Sequence, residues 1–178
     1  MVVHEVRPPH LETMTTRYNC NHGTPGWILN IVRDEFGPIT IDLASSRHHN
    51  VRVQAEHFFS EDDPCPYELD LVTTYPLNDP RAPVFNNPPG PAYSVQWFFD
   101  VWLGCINQGA QGGFLFFNMD QMRRCEPFTY RELVVLAFRD RVKYIGNRGG
   151  ASFPSALVLT GPLKNEYSDI ANVFEWIT

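Results

Sequence analysis

Apolar positions along this chain fall into short blocks separated by Pro- and Gly-rich turns. After Thr24-Pro25, a good N-cap followed by proline at the first helical position, Ile28, Leu29, Ile31 and Val32 recur at helical spacing. The pattern predicts a helix to about Glu35, ended by Phe36-Gly37-Pro38. Ile39-Thr40-Ile41-Asp42-Leu43 is β-branched and predicts a short strand that ends on an acid and runs into Ala44-Ser45-Ser46. A helical or irregular segment follows to about Phe59, and residues 60–81 are loop-rich, with a short element possible at 68–72.

Ala82 to Asn86 predicts a strand that enters the turn Asn87-Pro88-Pro89-Gly90. Val95, Phe98, Phe99, Trp102, Leu103 and Ile106 then mark a helix over 94–107, broken by Gly112-Gly113. Phe114-Leu115-Phe116-Phe117 is a continuous apolar run ending at Asn118, as expected for a central strand. Thr129 with Glu132 three residues on reads as a capping box opening a helix over 129–138. Strands are predicted at 141–145 and 155–160, followed by a tail packed down by Val173, Phe174 and Trp176. Helices alternating with short buried strands predict an α/β domain with a mostly parallel central sheet, residues 24–178, preceded by an N-terminal arm, 1–23.

Ligands in such sheets bind beyond the carboxyl ends of the strands. Asp42, Asn87 and Asn118 each stand at such an end. The Asn-Pro-Pro turn has chemistry of its own. Two prolines fix the backbone and donate no N–H, so an Asn amide and the Pro88 carbonyl are left to accept hydrogen bonds from one exocyclic amine. The bland alternative is an ordinary proline turn, and for Asp42 a capping acid between strand and helix.

The order Thr24-Pro25, Asp42-Leu43-Ala44-Ser45, Asn87-Pro88-Pro89, with the final strand-like Phe153-Pro154-Ser155-Ala156-Leu157-Val158-Leu159, resembles the phage-type DNA N-6-adenine methyltransferases over about residues 24–162. The resemblance implies a Rossmann-like methyltransferase fold with a C-terminal antiparallel strand and S-adenosyl-L-methionine as cofactor. It implies that Thr24, Pro25, Asp42, Ala44 and Ser45 line the cofactor site, and that Asn87, Pro88 and Pro89 hold the target amine. Where that family carries an aromatic, this chain has Gly90. Tyr93 is the nearest substitute for a ring against the flipped base. The alternatives are a methyltransferase-fold protein that binds without turnover, or an enzyme acting on a different base or nucleotide.

Charge sharpens the picture. A net charge of −6 opposes strong autonomous nucleic-acid binding, yet seven of the fourteen basic residues lie between 121 and 148. Arg123, Arg124, Arg141, Lys143 and Arg148 are therefore the candidate DNA contacts, with a solvated surface as the alternative. The apolar content of 43% is that of a soluble protein, and no membrane span or signal peptide is visible, so a cytoplasmic protein is expected, with a homodimer possible. Cys20, Cys65, Cys105 and Cys125 lack the spacing of structural zinc sites and are expected as buried thiols.

Overall fold

The computed structural model describes residues 23–59, 81–88, 92–127, 129, 131–146, 151 and 153–176, without the side chains of 92–94. The N-terminal arm, the loop 60–80, Pro89, Gly90, Arg148, Cys20, Cys65 and the side chain of Tyr93 lie outside the described residues. Among the described residues four helices, α1 (Gly26–Phe36), α2 (Arg47–Val53), α3 (Ala92–Asn107) and α4 (Met119–Arg124), flank seven strands. These are β1 (Ile41–Asp42), β2 (His57–Phe58), β3 (Pro83–Asn86), β4 (Gln111–Phe116), β5 (Leu133–Phe138), β6 (Ala156–Thr160) and β7 (Ala171–Glu175). No described helix is long and apolar enough to cross a membrane.

All seven strands join one sheet in the order β2-β1-β3-β4-β6-β5-β7. The ladders β1–β2, β1–β3 and β3–β4 are parallel. The ladders β4–β6, β5–β6 and β5–β7 are antiparallel. The expectation of a mostly parallel sheet is therefore corrected to a mixed one. The cause is the direction of the last two strands: β6 and β7 both run against β1 to β5, β6 inserted between β4 and β5 and β7 added on the outer side of β5, so all three of their ladders are antiparallel.

Two apolar layers cover the sheet. On one face α1 packs Ile28, Leu29, Ile31 and Val32 against Phe85, Leu115, Leu136, Leu157 and Leu159. On the other, α3 and α4 bury Val95, Phe98, Phe99, Trp102, Ile106 and Met122 against Ile41, Val84, Phe114, Phe116 and Val158. Cys105 and Cys125 are buried free thiols. Burial pushes Cys105 up to about 12, and burial helped by the Asp100 charge pushes Cys125 up to about 11, so neither is poised to react.

Three local expectations fail for identifiable reasons. The segment predicted as a helix over 129–138 holds β5 instead, because Leu133-Val134-Val135-Leu136-Ala137-Phe138 buries nearly every position and offers no polar helix face. The Thr129 hydroxyl accepts the Arg131 N–H in a tight turn rather than capping a helix. Residues 141–145 form no strand; their β-pairing among the described residues is limited to the isolated Gly23–Ile145 bridge. Gly112-Gly113 does not break structure but lies inside β4. A Cβ on Gly112 would come within 1.8 Å of the Val84 carbonyl oxygen, so only glycine lets β4 approach β3 here. In the tail, Trp176 does pack on Phe99 and Phe116, whereas Val173 and Phe174 stay exposed on the edge strand.

Candidate functional site

The chain passes from β1 to β2 on one side, then returns to β3 on the other side of β1. This reversal is a topological switch point, where the connections diverge and leave a crevice beyond the carboxyl ends of the two strands. Asp42 ends β1, and Asn86-Asn87 ends β3.

The pleat decides which way each side chain points. Asp42 pairs in register with Phe85, which packs under α1, while its neighbours Ile41 and Leu43 pack on the α3 side. The Asp42 side chain thus faces the α1 side of the sheet. Asn86 points the other way, donating from Nδ2 to the Phe98 carbonyl of α3 at 3.3 Å. Asn87 therefore returns to the α1 side, where its Nδ2 donates to Thr24 Oγ1 at 2.8 Å. Asp42, Asn87 and Thr24 share one edge and one face. From strand spacing and rise, Cα42 and Cα87 are roughly 8 Å apart, within reach of one small ligand.

Thr24 does not act as the helix cap expected of it. Pro25 is the N-cap of α1 and no side chain caps the helix, so the Thr24 hydroxyl is left for Asn87. The Pro25 carbonyl accepts from Ile28 and Leu29. The N–H groups of Gly26 and Trp27 still point out of the helix start, a setting that suits a carboxylate.

Asp42 is 2% exposed. Its Oδ1 accepts the Ala44 N–H at 3.2 Å, closing the turn after β1. The turn is held further by Ser45 N–H to the Phe59 carbonyl, 2.8 Å, and by Ser46 capping α2 at His49 N–H. Burial pushes the Asp42 carboxyl up to about 6, against the pull of the Ala44 N–H and the Ser45 hydroxyl. Ser45 Oγ is a buried oxygen without a hydrogen-bond partner among the described residues. Asn86 Oδ1 and Gln121 Oε1 are buried without partners too. Asn86 is the last residue of β3, and Ser45 and Gln121 follow the carboxyl ends of β1 and β4; orphaned polar atoms gathered at one end of a sheet call for an explanation.

No family model, no curated protein and no solved structure matches this chain.

Of the residues singled out in the sequence, Thr24, Pro25, Asp42, Ala44, Ser45, Asn87 and Pro88 come together at the switch point. Asn118 does other work: its Oδ1 caps α4 at Gln121 N–H, 2.8 Å. Arg123 and Arg124 are exposed on α4, with Arg123 paired to Asp120 at 3.4 Å. Arg141 and Lys143 are exposed on the segment that ends at the Gly23–Ile145 bridge, next to Thr24. Two features escaped sequence reading. Trp27, one turn before the buried Ile31 on the same helical stripe, is 44% exposed. The pairing of Gly23 with Ile145 joins residues more than a hundred positions apart and leaves no local signal.

Proposed function

We propose that this protein transfers a methyl group from S-adenosyl-L-methionine to an exocyclic amino group of a DNA base, adenine N-6 foremost. One observation carries the reading: Thr24, Asp42 and Asn87, the residues joined by the resemblance, meet on one face at the switch point of the sheet. The late strand β6, running against β1 to β5, also agrees with the Rossmann-like arrangement that the resemblance implies.

The residues present fit such a cofactor. Asp42 is a buried carboxylate with no cationic partner among the described residues, and Ser45 Oγ is a buried orphan beside it. An ammonium or ribose hydroxyl would satisfy both, and the helix start at Gly26-Trp27 would receive the cofactor carboxylate. Bound S-adenosylmethionine would supply an electrophilic methyl group on a sulfonium.

The chain's own contribution is positioning. Because Thr24 Oγ1 engages Asn87 Nδ2, the amide oxygen Oδ1 is the atom left to accept. Oδ1 and the Pro88 carbonyl would each take one hydrogen of the target NH2. That grip draws electron density onto the nitrogen and fixes its lone pair toward the methyl group. The amine is a weak nucleophile, so alignment and stabilisation of the developing charge supply the rate. Arg123, Arg124, Arg141 and Lys143 stand at the same edge and would meet phosphates.

Calorimetry with S-adenosylmethionine and methyl transfer to DNA test this reading together. Binding by the wild type, with transfer abolished in Asn87→Ala at unchanged melting temperature, is the expected result. No binding at millimolar cofactor rejects the cofactor assignment, and unchanged transfer by Asn87→Ala rejects the role of Asn87. Gly90 favours a second reading, a protein that binds cofactor and DNA without turnover; nucleoside mass spectrometry of treated DNA separates the two.

A further inference from the structure

The basic segment after β5 has an unusual course. It leaves the sheet at Phe138, whose ring meets that of Trp27 edge-on, centroids 4.9 Å apart at 75°. It returns at Ile145, which exchanges two hydrogen bonds with Gly23 at 3.0 and 2.9 Å. Trp27 thus stands between the two ends of this segment, three residues from Thr24. Along the segment, exposure alternates. Val142 and Tyr144 are buried at 1% and 2%, while Arg141 and Lys143 face out. The buried positions are firmly tied: Val142 accepts the Ala151 N–H at 2.8 Å, and Tyr144 stacks on Phe117 and donates to Ser155 Oγ at 3.1 Å. Arg139 begins the segment, donating from Nε to Asn172 Oδ1 at 3.4 Å, and Asp140 is its one acid.

Trp27 is the most exposed of the four tryptophans. A half-open indole leaning on a rigid base, flanked by outward cations, is what binds unpaired nucleic acid: the ring stacks on a base and the cations take its phosphates. A protein of net charge −6 that nonetheless carries Arg139, Arg141 and Lys143 on the segment that leaves Phe138, the residue this ring leans on, presents a local exception to its own charge.

We infer that Trp27, Arg141 and Lys143 form a stacking platform for an unpaired DNA nucleotide beside the target base. This rests on the methyl-transfer reading above and deepens it. The ring stands three residues after Thr24, whose hydroxyl holds Asn87, and so serves a nucleotide neighbouring the amine held there. Trp27 would hold the strand open while the target base occupies the crevice.

Tryptophan fluorescence tests this at low salt with a single-stranded oligodeoxynucleotide of about 12 nucleotides, a length within the usual site size. The wild type is expected to quench on binding. Trp27→Ala should weaken binding about 5- to 100-fold, the equivalent of one stacked base, and Trp27→Phe, which keeps a ring on Phe138, should recover most of the affinity. Arg141→Gln with Lys143→Gln should flatten the dependence of log affinity on log salt by about 1.4, two phosphates' worth on a single strand. Melting temperatures report whether each variant folds, and the doubly substituted protein carries the test if Trp27→Ala does not. Equal affinity of wild type and Trp27→Ala, or an unchanged salt slope in the double variant, overturns the inference and leaves the cofactor reading standing. A wild type that binds the oligonucleotide through Trp27 but takes no S-adenosylmethionine overturns the methyl-transfer reading instead.

Discussion

Asp42 and Thr24 show how single side chains are tuned by where the pleat puts them. A carboxyl raised to about 6 by burial stabilises the fold when protonated. That contribution is complete below its ordinary value of 3.8 and is lost as pH rises through about 6. Asp42→Asn keeps an oxygen for the Ala44 N–H and removes the buried charge. It should match the wild type at pH 4 and exceed it at pH 8 by up to about 3 kcal/mol, read from urea unfolding at both pH values. It should at the same time lose S-adenosylmethionine affinity, which in the wild type strengthens above pH 6. An equally stable wild type at pH 8 would show that Asp42 carries no such cost. Thr24→Val removes the acceptor that orients Asn87. The expected outcome is methyl transfer slowed about 10- to 100-fold, consistent with about 1.4–3 kcal/mol of lost positioning, with cofactor affinity nearly unchanged. A parallel loss of cofactor affinity would place Thr24 in direct contact with the cofactor rather than behind Asn87.

At the scale of elements, the apolar runs of β3, β4 and β6 were legible because continuous burial on both faces leaves no other use for them. β5 was not, since Thr129 and Glu132 imitate a helix start and nothing local reveals that the run after them is covered on both sides. β7 was missed for the opposite reason: its outer four residues are exposed, so it carries little apolar signal. The edge strand permits a sharp check of register. Arg139 N–H donates to Ile170 and Trp176 N–H to Leu133, so Asn172 and Phe174 direct their N–H groups at β5, while Ala171, Val173 and Glu175 direct theirs outward. Asn172→Pro should cost about 3 kcal/mol more than Val173→Pro in chemical denaturation, because only the former removes a ladder donor. A larger cost for Val173→Pro would mean the register is shifted by one residue.

Across the whole molecule, a single carboxylate links distant parts of the chain. Glu35, 1% exposed near the end of α1, accepts from Lys164 N–H at 2.6 Å, Asn165 N–H at 3.0 Å, Asn165 Nδ2 at 2.8 Å and the Tyr167 hydroxyl at 2.7 Å. Burial pushes this carboxyl up, but those four donors outweigh burial and hold it below its ordinary value. The sign is opposite to that of Asp42: Glu35 stabilises the fold above about its unfolded pKa, and the contribution is lost as pH falls through the lowered one. Glu35→Gln turns an NH2 toward donors and should cost about 2 kcal/mol or more at pH 7, with the difference from wild type shrinking in acid. A difference that stays constant from pH 7 down into the acid range would show that the charge is not what matters. Because the other end of α1 offers the Gly26-Trp27 helix start proposed for the cofactor carboxylate, loosening this clamp should also weaken cofactor binding.

The sequence by itself determined the α/β class, most of the buried strands, α1 and α3, and the three residues of the proposed site. These are written in local runs of apolar spacing and in turn chemistry, which depend only on near neighbours along the chain. Tertiary structure alone decided that β6 inserts between β4 and β5 and makes the sheet mixed, and that Gly23 pairs with Ile145. It also decided that Thr24 turns from capping a helix to holding Asn87, and that Trp27 is left open beside a basic segment. Each of these joins residues far apart in the chain, and the energy that selects them comes from burial and pairing that exist only once the layers have closed.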